Sequence, residues 1–132
     1  MEKEVKAMQQ YVGCDASSVW LIEDDEIRPY IMYGSAYEKL EAVSLPMGSG
    51  ICGYCIDHNE EIISNDLLND TRWNQFVDQE TGFTTRNLMC LPITIEDEVY
   101  GCVELVNKRE GKFTEDDVAY CKKMIQELIE YL

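Results

Sequence analysis

Val77-Asp78-Gln79-Glu80-Thr81-Gly82-Phe83-Thr84-Thr85-Arg86-Asn87 is the stretch on which the reading of this chain turns. It gathers a carboxylate, three threonine hydroxyls and a glycine turn, and it runs directly into the apolar segment Leu88–Ile95. A polar loop on the end of a buried strand is a common mount for a ligand grip, because the sheet holds the loop's groups in place. Asn107-Lys108, Phe113 and Asp117 follow further on.

Downstream of the loop, Leu88–Ile95 and Val99–Val106 read as a strand pair joined by the acidic turn Glu96-Asp97-Glu98. Thr114 caps a last helix over 114–132, with an apolar stripe of Val118, Cys121, Met124, Ile125, Leu128 and Leu132 at a period of about 3.6. Upstream, Met1–Tyr11 reads as a shortened amphipathic helix with Val5, Met8 and Val12 on one side. Ser17–Ile22 and Ile27–Tyr33 form a hairpin around Glu23-Asp24-Asp25-Glu26, a solvated acidic turn. Leu40–Leu45 reads as a weaker strand, Ile51–Asp57 as a helix after Pro46-Met47-Gly48-Ser49-Gly50, and Glu61–Ser64 as a short strand. Thr71–Phe76 reads as a short helix capped by Asp70 or Thr71. Hairpins with helices between and at both ends predict an α+β domain on an antiparallel sheet.

The 132 residues suit a single domain able to bury a core without staples. With 45% apolar residues it is no disordered tail. Its 26 acids against 11 bases leave a formal charge of −15, which repels nucleic acid and anionic lipid, so neither is an expected partner. No membrane span or signal peptide is read, and a cytoplasmic location is expected. The cysteines at 14, 52, 55, 90, 102 and 121 have mostly apolar neighbours and read as reduced core residues. Cys52-Gly53-Tyr54-Cys55 without a second pair or a nearby His is half a zinc site at most, so no metal and no cofactor is expected. His58, the single histidine, reads as a solvated residue at a helix end.

Gly48-Ser49-Gly50 opens the helix at Ile51 and lets a backbone approach a ligand closely. The first amides of that helix, those of Ile51, Cys52 and Gly53, with the positive end of its dipole, offer an anion site that needs no Lys or Arg. The plain alternative is a Gly-x-Gly turn that merely starts a helix. The Asp78–Thr85 loop has a plain alternative too, a turn whose hydroxyls bond its own backbone.

Taken together, "VDxxTGFxTRN" before a strand and "NK…F…D" before the last helix resemble the GAF domain, in particular the GAF domains of cyclic-nucleotide phosphodiesterases and adenylyl cyclases. The resemblance runs from about Gly13 to Leu132. It implies a GAF/PAS-like sheet of about six strands with helices on both faces and a ligand pocket on one of them. It implies a regulatory, non-enzymatic sensor of a small molecule, with a cyclic nucleotide as the candidate ligand and a homodimer formed through the terminal helices of a larger protein. The ligand residues carried over are Ser18, Tyr33 (stacking on the base), Ser49, Gly50, Ile51 and Cys52 (around the phosphate), with Asn74, Asp78, Thr81, Thr85 and Glu104. Lys108 and Asp117 match a structural ion pair of the family, although Val118 replaces its final Glu. Relatives selective for cyclic GMP carry an Asp after the stacking aromatic; here Gly34 follows Tyr33, and Asn74 stands where they have an aromatic. Weak discrimination, or a tilt toward cyclic AMP, is therefore expected.

Two other readings compete. The chain is also similar to the free methionine-R-sulfoxide reductases of the same fold, which have a Cys in a like Gly-x-Cys-Gly turn. Those enzymes also carry cysteines in the loop matching Asp66–Thr85, where this chain has none. A protein-interaction module with a vestigial pocket is the other reading, and the intact Asp78, Thr81, Thr85 and Glu104 set speaks against it.

Overall fold

A computed structural model of the chain describes residues 1–34 and 43–132. Six antiparallel strands form one sheet: β1 (Cys14–Glu23), β2 (Glu26–Gly34), β3 (Leu45–Pro46), β4 (Ile62–Ser64), β5 (Leu88–Ile95) and β6 (Glu98–Lys108), in the order β3-β2-β1-β6-β5-β4. Among the described residues the α-helices are α1 (Glu2–Val12), α2 (Gly50–His58), α3 (Phe76–Thr81) and α4 (Glu115–Leu128). The expected α+β class and six-stranded sheet are what the chain forms. Of the strand expected over 40–45, residues 40–42 lie outside the described residues.

Period-2 alternation sorts the central strands onto two cores. Val19, Met89, Leu91, Ile93, Val103 and Leu105 face the stripes of α1 and α4. Trp20, Leu88, Cys90 and Cys102 face α2. Both acidic hairpin turns put two residues in the left-handed region, Asp24 and Asp25 in one and Glu96 and Asp97 in the other, which matches the twist of tight two-residue hairpins. Thr114 and Asp117 make a reciprocal capping box that starts α4.

One helix is displaced from its expected place. Residues 71–75 are not helical; the helix forms at Phe76–Thr81, inside the stretch read as loop. The Oδ1 of Asn74 accepts from the Phe76 amide at 2.9 Å, and the helix ends on Gly82 in the left-handed conformation. Asp70, expected to cap, instead accepts from the Arg72 amide, Nε and Nη2 at 3.0, 2.9 and 2.7 Å and from Ser64 Oγ at 2.8 Å. The Arg72 guanidinium holds its carboxyl well below the usual carboxylate range. That clamp fixes the chain entering the segment that walls the site.

Candidate functional site

On the α2 face a narrow cleft of about 50 Å³ lies between the start of α2, the Trp73–Asp78 segment and the floor formed by β5 and β6. Its polar wall carries Ser49, Asn74, Asp78, Thr85 and Glu104; its apolar wall carries Leu45, Ile51, Trp73, Val77 and Leu88.

The turn before α2 is built around close backbone approach. A Cβ at Gly53 would sit 2.4 Å from the carbonyl carbon of Gly48, so the first helical turn rests directly on the preceding loop. The Gly53 amide donates to Ser49 O at 2.9 Å, which makes it the first residue bonded within the helix. Gly53 therefore drops out of the expected anion site, leaving the amides of Gly50, Ile51 and Cys52 beyond the ladder. Ser49, the N-cap residue, gives them no side-chain bond. Its Oγ instead accepts from Asn74 Nδ2 at 2.9 Å, which ties the turn to the opposite wall.

Asp78 and Thr85 meet across the α3 loop. The Thr85 amide donates to one Asp78 carboxylate oxygen and the Thr85 hydroxyl to the other, both at 2.7 Å. A carboxylate has about four acceptor positions, so Asp78 keeps capacity on the cleft side. Glu104 stands on β6 with its carboxyl packed beneath the cleft. Burial first, and the charge of Asp78 second, push its pKa up to about 7. The raised pKa favours the protonated form of the floor, which lowers the negative charge an anionic ligand would meet.

Eight of the eleven expected site residues line the cleft, and three do not. Tyr33 packs with the α1/α4 core on the opposite side of the sheet, with Lys6 Nζ 5.6 Å from its ring centre. Its register opposite Ser17, rather than Ser18, puts it on the wrong face to stack on anything in the cleft. Ser18 is on the correct face, paired with Glu104 across β1 and β6, but its Oγ accepts from Trp20 Nε1 at 2.9 Å and lies under the core. Thr81 is buried in α3; its hydroxyl donates to Val77 O at 2.8 Å and accepts from the Phe83 amide at 3.3 Å. Here the self-satisfied turn is the reading that holds.

Two features were missed in the sequence. Trp73 supplies the aromatic wall, and its place in a polar segment between Arg72 and Asn74 was the available signal. Asn107 is the second. Buried and left-handed at φ 59°, it accepts from the Arg86 amide at 2.7 Å and donates to Thr84 O at 2.8 Å. Asn87 answers it, accepting from the Lys108 amide at 3.0 Å. The "NK" pair thereby pins the Thr84–Asn87 loop, while Lys108 reaches Asp117 at 2.5 Å in a largely buried ion pair.

The cysteines depart from expectation as well. Cys52 is joined to Cys102 of β6 in a disulfide, rather than to Cys55 or to nothing. Cys14, Cys55, Cys90 and Cys121 are buried thiols.

The result is a one-sheet α+β fold with a walled cleft on one face and the terminal helices on the other. The chain belongs to the GAF domain family, whose profile matches residues 3–127. It is 30% identical over 126 residues to the "Probable 3',5'-cyclic phosphodiesterase pde-5" of Caenorhabditis elegans, a match covering 87% of this chain and 17% of that protein. It is 38% identical over 78 residues to the "Dual 3',5'-cyclic-AMP and -GMP phosphodiesterase 11A" of Takifugu rubripes, covering 57% of this chain and 9% of that one. The chain thus spans under a fifth of the length of either relative.

Among solved structures it superimposes on the GAF domain of a phosphoenolpyruvate-protein phosphotransferase from Coxiella burnetii, with a TM-score of 0.84 at 19% identity, covering 96% of this chain and 76% of that one. It superimposes on the free methionine-R-sulfoxide reductase of Neisseria meningitidis with a TM-score of 0.78 at 15% identity, covering 96% and 72%. These two likenesses concern the fold alone. No helix of the described residues is long and apolar enough to cross a membrane.

Proposed function

We propose that this domain is a non-enzymatic regulatory sensor that binds a cyclic nucleotide in the α2 cleft. The observation that carries the reading is the pairing of amides at Gly50, Ile51 and Cys52, without a hydrogen-bond partner among the described residues, with the polar wall of Asn74, Asp78, Thr85 and Glu104 around one cavity. The cyclic phosphate faces the amide end of α2, where the helix dipole and free N–H groups favour an anion despite the −15 net charge. The base lies against Trp73, which takes the stacking role that Tyr33 cannot fill, and its polar edge meets Asp78, Thr85 and Glu104. Similarity to phosphodiesterases named for cyclic nucleotides supports the ligand class.

Binding orders the Asp66–Thr85 segment and shifts α4, passing the change to an attached output domain in a cytoplasmic, homodimeric parent protein. In that dimer α1 and α4 supply the contact, with the stacked Tyr11 and Tyr120 rings, 3.7 Å apart, at their shared rim. A reductase reading has less support, since Asp66–Thr85 contains no cysteine.

Titration calorimetry with cyclic AMP and cyclic GMP tests the reading. Both bind in the expected case, with cyclic AMP equal or favoured, as the resemblance implies from Gly34, which stands where relatives selective for cyclic GMP carry an Asp. Cyclic GMP binding more than about tenfold tighter, some 1.4 kcal/mol, points to another residue that reads guanine. Binding of neither would leave the family and remove the ligand class.

A further inference from the structure

Four of the six cysteines converge behind the cleft. Cys52 and Cys102 are bonded to each other, and the Cys90 sulfur lies within 4.8 Å of both. Cys55, one turn along α2 from Cys52, shares a hydrogen bond with Cys90; that bond and complete burial push the Cys90 thiol up. The knot therefore holds one disulfide beside one hydrogen-bonded thiol pair. Among the described residues Cys52 is the cysteine that reaches the cleft wall, whereas Cys102 is fully buried.

The position of the bridge gives it leverage. Cys52 belongs to the first turn of α2, whose free amides edge the cleft. Cys102 is two residues before Glu104, on the same face of β6. One covalent bond thus sets the spacing between the amide end of the helix and the acidic floor.

We infer that Cys52–Cys102 is a reversible thiol–disulfide site, reached by small thiols through the cleft, whose state sets how tightly the N-terminus of α2 is held to β6. The exchange is balanced by glutathione. A glutathione thiolate entering the cleft attacks the Cys52 sulfur; the Cys52–Cys102 bond breaks and Cys102 leaves as a thiolate that takes up a proton. A second glutathione thiolate attacks the mixed disulfide, releasing the Cys52 thiol and oxidised glutathione, so two glutathione molecules supply the two electrons. Oxidised glutathione drives the reverse. The high pKa of Cys90 keeps it a poor nucleophile, which guards the bridge against internal shuffling. The inference depends on the cleft and not on the identity of any ligand.

The test equilibrates the folded protein in glutathione buffers of graded ratio, traps thiols by alkylation and maps them by mass. Native amide exchange is then compared between the two end states. The expected result is a Cys52–Cys102 bridge that opens and re-forms without unfolding, while Cys14, Cys55, Cys90 and Cys121 stay thiols throughout. In the reduced form, exchange at Gly50–Gly53 rises by about tenfold or more while β1 and β5 are unchanged. Cys102→Ser, oxidised in the same way, should trap glutathione on Cys52. A bridge that yields only when the protein unfolds, six free thiols at every ratio, or identical exchange at α2 in both states would each overturn the inference. None of these readouts involves a nucleotide, so they are independent of whether the proposed ligand binds.

Discussion

Thr85 gives both its donors to Asp78: its amide and its hydroxyl each meet a carboxylate oxygen at 2.7 Å, seven residues back along the chain and inside α3. The pair closes the loop over the cleft before any ligand arrives. The two residues therefore have a structural part in addition to any binding role, and their substitutions should register in the free domain.

Asp78→Ala removes both acceptors and leaves the Thr85 amide to find water. Charge-assisted hydrogen bonds of this kind are worth about 1.5–3 kcal/mol, so the unfolding midpoint should drop by several degrees. Thr85→Val keeps the amide bond and the shape, and should lose less than half as much. Paired thermal melts decide it; an unchanged midpoint for Asp78→Ala would show that the loop is held from elsewhere.

Asn107 allows the loop to be loosened without touching the cleft. Asn107→Gly deletes two side-chain bonds yet keeps a backbone at ease at φ 59°; Asn107→Ala deletes the same bonds and adds left-handed strain. The Ala variant should be less stable than the Gly variant by about 1 kcal/mol. Chemical denaturation of both variants measures the difference, and a reversed order would mean that side-chain contact outweighs backbone strain here.

Much of this was legible in advance, and the failures have definable causes. The hairpins and the α4 stripe were readable because burial on one face imposes a period that sequence records directly. Thr114 was readable as a cap because a capping box is local. The α3 segment was misplaced because Asp70 looks like a cap in isolation; only the fold brings Ser64 and the Arg72 fork to compete for its oxygens. Tyr33 was misassigned because a strand residue's face depends on register, and the β1–β2 pairing slips at Tyr30, between Val19 and Trp20, in a way that no composition reveals. Cys102 is fifty residues from Cys52 in the chain, so their meeting had no local signal at all.

Glu104 should make stability depend on pH in an unusual direction. Its pKa in the folded domain is about 7 against the ordinary 4.5, so the native state holds a proton that the unfolded chain releases. Stability then falls as pH rises from about 4.5 to 7, by at most roughly 3 kcal/mol. Denaturation at pH 5 and pH 8 should show this loss for the natural chain, and Glu104→Gln should remove most of it. A Gln variant that keeps the full slope would assign the effect to general repulsion among the surplus acids.

Lys108→Met should cost more than an exposed ion pair does, because Asp117 is only 6% exposed and also accepts from the Thr114 amide. A loss of about 2–4 kcal/mol is expected from stranding that carboxylate. The cleft lies elsewhere, so affinity for any cleft ligand should stay within twofold or so. Calorimetric melting of the variant beside a binding titration separates the two effects.

The sheet is a single layer, and its strand β6 is shared by two environments at intervals of one residue. Cys102 and Glu104 face the α2 side, where Glu104 floors the cleft; Val103 and Leu105, interleaved with them, press on the terminal helices. A push on the floor therefore arrives on the far side after crossing one peptide unit, about the thickness of the backbone itself. Distance is no obstacle in such a partition. The wall that separates the two compartments is also the lever between them.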